Sequence, residues 1–442
     1  MSPQANLDAP ATDERPWSGP LPHRKAFAVR CVACGHEYRR AFAPFCDSCG
    51  GITEAYYDLE KVRLHESENP YVRFREILPV HDASLLPKDS VHTPTIHAQR
   101  LGDELGMPRL YLKDDTRLPT GTTKDRMAAV ALAYLYECGV KAFCTSSTGN
   151  SSTSYAQASP GFPHLKINVF TASDFHHRVQ YRDNANIVHY VLRGASFAEA
   201  FVYSGTFAKN NGFVSERGFF NLGRREGLKM AWLEAVEQVP ETIDWYVQAV
   251  SSAMGVYGTY KAARELHELK RIDRLPSLLC VQQESCCPMV QAWEGGFENI
   301  LPEHIVRKPS GIAKAILRGD PSRTYPIMRK IVQEAGGSFT AVSESQIREA
   351  RSMVEELEGV SPCYSASTAV AGLIKQVRQG SFPIDQTVLI NLTGGDRPVD
   401  ENQAQHQDIR WLSQSHQGWT PDDAARENGL IHGDEPLKAS RT

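Results

Sequence analysis

Apolar positions along the chain fall into two rhythms. Short unbroken apolar runs occur as RLYLK ending at Lys113, KAFCTSS from Lys141, LKINVFTA from Leu165, WYVQAV from Trp245 and TVLINL from Thr387. Such runs read as strands buried on both faces. Between them, DRMAAVALAYLYE from Asp125, NSSTSYAQAS from Asn150 and KAARELHEL from Lys261 carry apolar residues at helical spacing. Strand and helix in alternation predict parallel sheets covered by helices on both faces.

The rhythm also divides the chain. Residues 1–26 are rich in Pro, Ala and Asp, without period, and read as a flexible arm. Residues 27–60 form a Cys-rich module, and residues 61–397 carry the alternating body. From residue 398 to 442 apolar residues thin out, and this stretch is read as a polar tail, loosely docked or partly disordered.

Composition narrows the function classes. The 442 residues carry 48 Lys and Arg against 52 Asp and Glu, a net charge of −4, with 41% hydrophobic residues. That length supports a sizeable core, and the balance removes any electrostatic reason to expect nucleic acid or anionic membrane as a partner. With no signal-peptide core and no membrane-length apolar run, the reading is cytoplasmic.

In a reducing compartment, closely spaced cysteine pairs point to metal rather than disulfides. Cys31 with Cys34 and Cys46 with Cys49 are two CxxC knuckles separated by eleven residues, each followed by glycine, at Gly35 and Gly50. Four thiolates close a tetrahedral zinc shell and leave no open position, so the expected role is structural.

Four further segments carry chemistry. Lys124 enters a helix after a turn through Pro119 and Gly121, where the positive end of the helix dipole would lower an amine's pKa. Residues 144–154 form a hydroxyl-rich loop between strand and helix, suited to a carboxylate or phosphate. Residues 250–263 place Gly255 and Gly258 after a strand, and residues 387–395 run from a strand into a Thr-Gly-Gly turn. Cys286 with Cys287 has a possible pocket role, whereas His176 with His177 lacks a third ligand at metal spacing and reads as surface or hinge.

In this order, the segments resemble the fold-type II pyridoxal-phosphate enzymes, and in particular the threonine synthase family. The lysine motif at residues 119–126, the loop at 147–151, the glycines at 255 and 258 and Thr393-Gly394 carry the likeness, which covers roughly residues 28–397. Stretches at 245–250, 278–296 and 300–303 look more like cysteate synthase.

The resemblance implies two three-layer α/β lobes of the tryptophan synthase β-subunit-like class with an N-terminal zinc ribbon, the smaller lobe spanning roughly 128–210, and a homodimer. It implies that Lys124 holds pyridoxal 5'-phosphate as a Schiff base and moves protons, and that Asn150 bonds the cofactor's ring hydroxyl oxygen. Ser147, Thr148, Gly149 and Ser151 would hold an amino-acid substrate's carboxylate. Gly255, Val256, Tyr257, Gly258 and Thr259 would cradle the cofactor phosphate, and Thr393 would face the pyridine nitrogen. Cys31, Cys34, Cys46 and Cys49 would bind structural zinc.

The implied activity is elimination or replacement on an O-activated, O-phosphorylated amino acid. Alternatives are β-replacement on O-phosphoserine, as in cysteate synthase, and a non-catalytic zinc-ribbon pseudoenzyme. A side-chain phosphate would be met by some of Lys113, Arg117, Arg126, Lys209 and Arg224.

Overall fold

The computed structural model describes residues 27–38, 42–88, 92–181, 184–397, 409–415 and 418–421. The segment 1–26, read as a flexible arm, lies outside the described residues.

Three antiparallel strands form the first unit. β1 (Phe27–Cys31) lies between β2 (Glu37–Tyr38) and β3 (Thr53–Tyr57). So few residues cannot bury a core of their own. The unit instead packs Val29 and Ala55 against Tyr134 and Leu222 of the body. Tyr57 Oη donates to Glu226 at 2.8 Å, and Glu226 belongs to a buried alternating array with Lys229, Lys261 and Glu265.

The body contains two six-stranded sheets. The larger has the order β12 (Ser338–Val342), β11 (Ser277–Gln283), β10 (Trp245–Ala249), β13 (Val388–Leu392), β5 (Leu110–Asp114), β4 (Thr95–His97). All neighbours are parallel except β4 with β5. Every residue of β5 and β13 is buried, as expected of central strands covered on both faces.

The smaller sheet has the order β15 (Gly418–Pro421), β14 (Ile409–Ser415), β8 (Ile187–Leu192), β7 (Lys166–Ala172), β6 (Ala142–Ser146), β9 (Val214–Ser215). Here the structure corrects the sequence reading at the C-terminus. Residues 409–415 and 418–421, taken as a polar tail, are strands, and β14 extends β8 in parallel. The apolar pattern was weak because only one face of β14 is covered: Leu412 is buried, while Trp411 lies under the Arg193 guanidinium at 4.2 Å. The lobe expected at 128–210 thus draws on strands up to 215 and from 409 onward.

Register places the chemistry. Asp114 pairs with Leu392 and Val247 pairs with Ile390, so the carboxyl ends of β5, β13 and β10 lie side by side. In an open parallel sheet, the crevice beyond those ends is where ligands bind.

Candidate active site

Three adjacent strands of the large sheet and one of the small sheet deliver their following loops to one cleft. From β5 come Thr122, Thr123 and Lys124, from β13 Thr393 and Gly394, from β10 residues 250–255, and from β6 Ser147, Thr148, Asn150 and Ser151. The lysine loop and the Thr-Gly-Gly turn are joined by backbone: Thr123 N donates to Thr393 O at 2.9 Å, and Gly395 N to Gly121 O at 3.0 Å. A Cβ on Gly394 would stand 2.7 Å from Gly121 O, so this close approach demands glycine.

Lys124 opens the helix Lys124–Glu137. Its pKa is lowered to about 8, first by burial and second by the Arg224 cation. The direction agrees with the sequence reading, but the causes are desolvation and a neighbouring charge rather than the helix dipole. Asp125 accepts from Thr120 N at 2.7 Å and Thr120 Oγ1 at 2.6 Å, bracing the turn before the lysine.

The loop after β6 folds back on itself. Ser147 Oγ accepts from Gly149 N at 3.0 Å and Ser152 N at 3.3 Å. Gly149 has φ 119°, and a Cβ there would lie 2.5 Å from Arg178 Cβ, so it shapes the loop without itself lining the cleft. Asn150 begins the helix Asn150–Ala158, and its Oδ1 accepts from Arg397 Nη2 at 2.9 Å.

The β10 loop departs from the sequence reading. Only Gly255 of the five expected phosphate-binding residues lines the cleft. Val256, Tyr257, Gly258 and Thr259 are buried within the helix Met254–Glu268. Tyr257 Oη donates to Glu54 of the small Cys-rich unit, and a Cβ on Gly258 would meet Arg225 O at 2.5 Å, which makes Gly258 a packing glycine. Sequence spacing could not separate helix packing from ligand approach. The cleft is lined instead by Ser251, Ser252, Ala253, Met254 and Gly255. Ala253 holds φ 58° at the helix N-cap, and Tyr257 N to Ala253 O at 3.0 Å is the first helical bond. The preceding amides therefore have no carbonyl of their own helix to bond, the arrangement in which helix N-termini can receive anions.

Of the five cations expected near a substrate phosphate, only Arg224 reaches the cleft. Lys113 and Arg126 are buried with Glu234 at 2.9 Å and 2.5 Å, Arg126 also with Asp115 at 2.9 Å. Arg117, itself exposed, pairs with buried Asp114, and Lys209 is exposed. Arg224 is itself held by Glu216 and donates to Thr145 Oγ1 at 3.1 Å and Ser151 Oγ at 3.3 Å. Sequence reasoning missed Lys314, Arg318 and Cys363, which also line the cleft. Nothing in the local sequence around 314–318 marks it, since that segment follows no strand. Cys286 and Cys287 are buried outside the cleft lining.

Does this cleft fit an anionic, carbonyl-bearing aromatic cofactor? An amine of lowered pKa and a helix N-terminus sit on one cleft, and two buried hydroxyl oxygens at its wall, Thr123 Oγ1 and Ser146 Oγ, have no hydrogen-bond partner among the described residues. Buried polar atoms without partners cost stability, so a polar ligand is the expected occupant. The residues fit such a group.

A two-lobed α/β protein with a lysine of lowered pKa on the cleft, beside a helix N-terminus, has the build of the lysine-anchored cofactor enzymes. The chain is a member of the pyridoxal-phosphate dependent enzyme family, whose profile matches residues 89–394, and it is a pyridoxal-phosphate dependent enzyme. It is 28% identical over 378 residues to threonine synthase of Methanosarcina acetivorans, covering 83% of this chain and 91% of the relative. It is 26% identical over 385 residues to cysteate synthase of Methanosarcina mazei, covering 84% and 92%. Among solved structures, maize serine racemase superposes with a TM-score of 0.58 at 20% identity, over 70% of this chain and 89% of that one. Threonine deaminase isoform 2 of Solanum lycopersicum gives 0.58 at 16% identity, over 78% and 94%. The structural likenesses bear on fold.

The Cys-rich unit carries the second candidate centre. Cys31 Sγ lies 3.4 Å from Cys49 Sγ, and Cys34 Sγ lies 3.6 Å from Cys46 Sγ, with all four within 4.8 Å of one another. Gly35 at φ 74° and Gly50 at φ 72° make the knuckle turns, donating to Cys31 O and Cys46 O. These sulfur separations approach the roughly 3.8 Å edge of a tetrahedron with 2.3 Å metal–sulfur bonds. The described residues hold no other group of three or more such ligands.

The lowered lysine pKa has a kinetic consequence. Only the neutral amine attacks a carbonyl, so capture of pyridoxal phosphate by cofactor-free protein should accelerate as pH rises through about 8 and level off above it. Arg224→Met should move that midpoint upward, because removing a nearby cation favours the ammonium. Stopped-flow absorbance against pH checks both.

Proposed function

We propose that this enzyme performs threonine-synthase-like elimination and replacement on an O-phosphorylated amino acid. The supporting observation is the convergence of Lys124, Asn150, Thr393 and residues 251–255 on one cleft. When bound, the cofactor supplies an electron sink for negative charge at the substrate's α-carbon.

The chain's own residues define the rest. Lys124 would hold the cofactor, and its amine, near neutrality in pKa, accepts and returns protons at the substrate carbons. Residues 251–255 receive the cofactor phosphate on helix amides. Asn150 has its Oδ1 taken by Arg397, which leaves the Nδ2 group to donate to the ring oxygen. Thr393 offers a neutral hydroxyl to the ring nitrogen. Ser147, Thr148 and Ser151 face the substrate carboxylate, with Gly149 allowing the loop its shape. Retention of a cleft lysine at lowered pKa speaks against the pseudoenzyme reading.

The substrate phosphate is assigned to Arg318 with Lys314. Arg318 Nε donates to Asp320 O at 3.1 Å, and burial lowers the guanidinium's pKa against the opposing effect of Asp320. Arg318 is half-buried and lines the cleft with Lys314, and a cation so placed favours an anionic partner. The four-cysteine unit is proposed to hold one structural zinc.

The test is phosphate release by purified holoenzyme from O-phosphohomoserine and from O-phosphoserine. Release from the first supports threonine-type chemistry; release from the second alone supports the cysteate-type reading. Arg318→Gln is expected to raise KM for the accepted ester by about 10- to 100-fold, the worth of a charge-assisted hydrogen bond. A yellow protein inert toward both esters overturns the O-phosphorylated substrate and leaves the family membership standing. Metal analysis of the same sample should find one zinc per chain.

A further inference from the structure

Arg397 follows the Thr-Gly-Gly turn, at the point where the chain leaves the large sheet and, from Ile409, enters the small one. Its guanidinium touches three separate segments. Nη2 donates to Asn150 Oδ1 at 2.9 Å and to Arg178 O at 3.0 Å, and Nη1 to Thr120 O at 3.4 Å. All three acceptors are neutral oxygens. The neighbouring carboxylate, Asp396, is bound instead by Arg351 at 2.7 Å.

An arginine so arranged incurs a cost. Burial and the nearby Arg178 charge both lower its pKa, with Asp125 and Cys363 opposing. Such a position is retained where the donors hold a geometry that neutral side chains cannot span. One acceptor belongs to the turn before Lys124, and two belong to the small-lobe loops around Asn150 and Gly149. Arg178 O also accepts from Thr153 Oγ1 at 3.2 Å, and Arg178 Cβ fills the space that a side chain at Gly149 would need. From the far side, the loop of His176 rests on Trp411 of β14, ring centroids 5.0 Å apart.

We infer that Arg397 is a positioning residue that clamps the small-lobe loops to the lysine turn and sets the Asn150 amide with its NH2 group toward the cofactor ring. This inference rests on the proposed role of Asn150. An amide has two nearly isosteric orientations, and committing Oδ1 to Arg397 leaves only the NH2 group for the cleft. Without the clamp, both orientations are populated and the loop is free to part from the lysine turn.

The test is a double-mutant cycle in holoenzyme with Arg397→Met, Asn150→Ala and the pair, read by the position of the visible absorbance band, by its change with pH, and by kcat and KM. Arg397→Met should displace the band in the same sense as Asn150→Ala and lower kcat by about 10- to 100-fold, the effect of a small misplacement at the reacting centre. The double variant should lose no more than the worse single one. A band unmoved in Arg397→Met, or losses that multiply in the double variant, overturns the inference. Arg397→Lys keeps the charge but not the forked donors and should recover little of kcat; full recovery would show that charge alone suffices and overturn the clamp.

Amide exchange separates this inference from the reading it rests on. Arg397→Met should speed exchange at residues 150–153 and 178–180 in cofactor-free protein, where cofactor contacts play no part. Unchanged exchange overturns the clamp even if the cofactor binds as proposed. If wild-type protein takes up no cofactor, the proposed function fails, and the exchange result still decides the clamp.

Discussion

Lys124→Ala is expected to remove the visible band of cofactor-loaded protein and to lower turnover by at least about 100- to 10,000-fold, the range for loss of a positioned acid/base group. The amine is unusual in three measurable ways. It heads the helix Lys124–Glu137, it lines the cleft, and its pKa of about 8 combines burial with the Arg224 charge. Among the described residues the other lysine on the cleft wall is Lys314, which is exposed. A Lys124→Ala protein that keeps the wild-type band through dialysis, and loses it on borohydride reduction with the adduct on another lysine, would move the anchoring amine elsewhere and sink the assignment. Gain of the band's reduced adduct on a Lys124-containing peptide of the wild type is the matching positive result.

The second large effect is expected at Glu216, which no sequence motif marks. Glu216 accepts from Arg224, from Asn221 Nδ2 at 2.9 Å, Tyr155 Oη at 3.1 Å, Thr145 Oγ1 at 3.2 Å and Gly218 N at 3.2 Å, all in the interior. Burial disfavours the Arg224 charge and Glu216 more than offsets this, so the guanidinium pKa rises. Glu216→Ala leaves that cation buried without its partner and should destabilise the protein by about 3–5 kcal/mol in urea unfolding. It should also act on the lysine. With the Arg224 charge no longer balanced, the Lys124 pKa falls further, and the midpoint of cofactor capture moves below pH 8. Glu216→Gln keeps most hydrogen bonds and should lose less stability while shifting the midpoint in the same direction. An unchanged midpoint in both variants would show that the Glu216 carboxylate does not offset the Arg224 charge at the lysine.

Much of the body was legible because its signals are local. The run at β5, the helix after Lys124 and the run at β13 each announce themselves within a dozen residues, by unbroken apolar character or helical spacing. The cysteine knuckles were legible for the same reason, since two-residue spacers and following glycines are local geometry. The site was read less completely. Gly255 and Gly258 look alike in sequence, yet one abuts the cleft and the other packs on Arg225 O, because Gly255 sits at the helix start and Gly258 lies about one turn further into the core. Lys113 and Arg126 look like free cations in sequence, and Glu234, more than a hundred residues away, pairs with both, with Asp115 as the second carboxylate on Arg126.

Sequence alone determined that this chain alternates strand and helix around a lysine turn and begins with four cysteines able to share an ion. Both depend on chemistry between near neighbours: apolar period, turn residues and knuckle spacing. Tertiary structure decided which cations face the cleft, that strands β14 and β15 complete the small lobe, and that Arg397 binds Asn150 from 247 residues away. Charge pairing, edge-strand addition and lobe-to-lobe hydrogen bonds join residues that are close only after folding, and no local pattern encodes them.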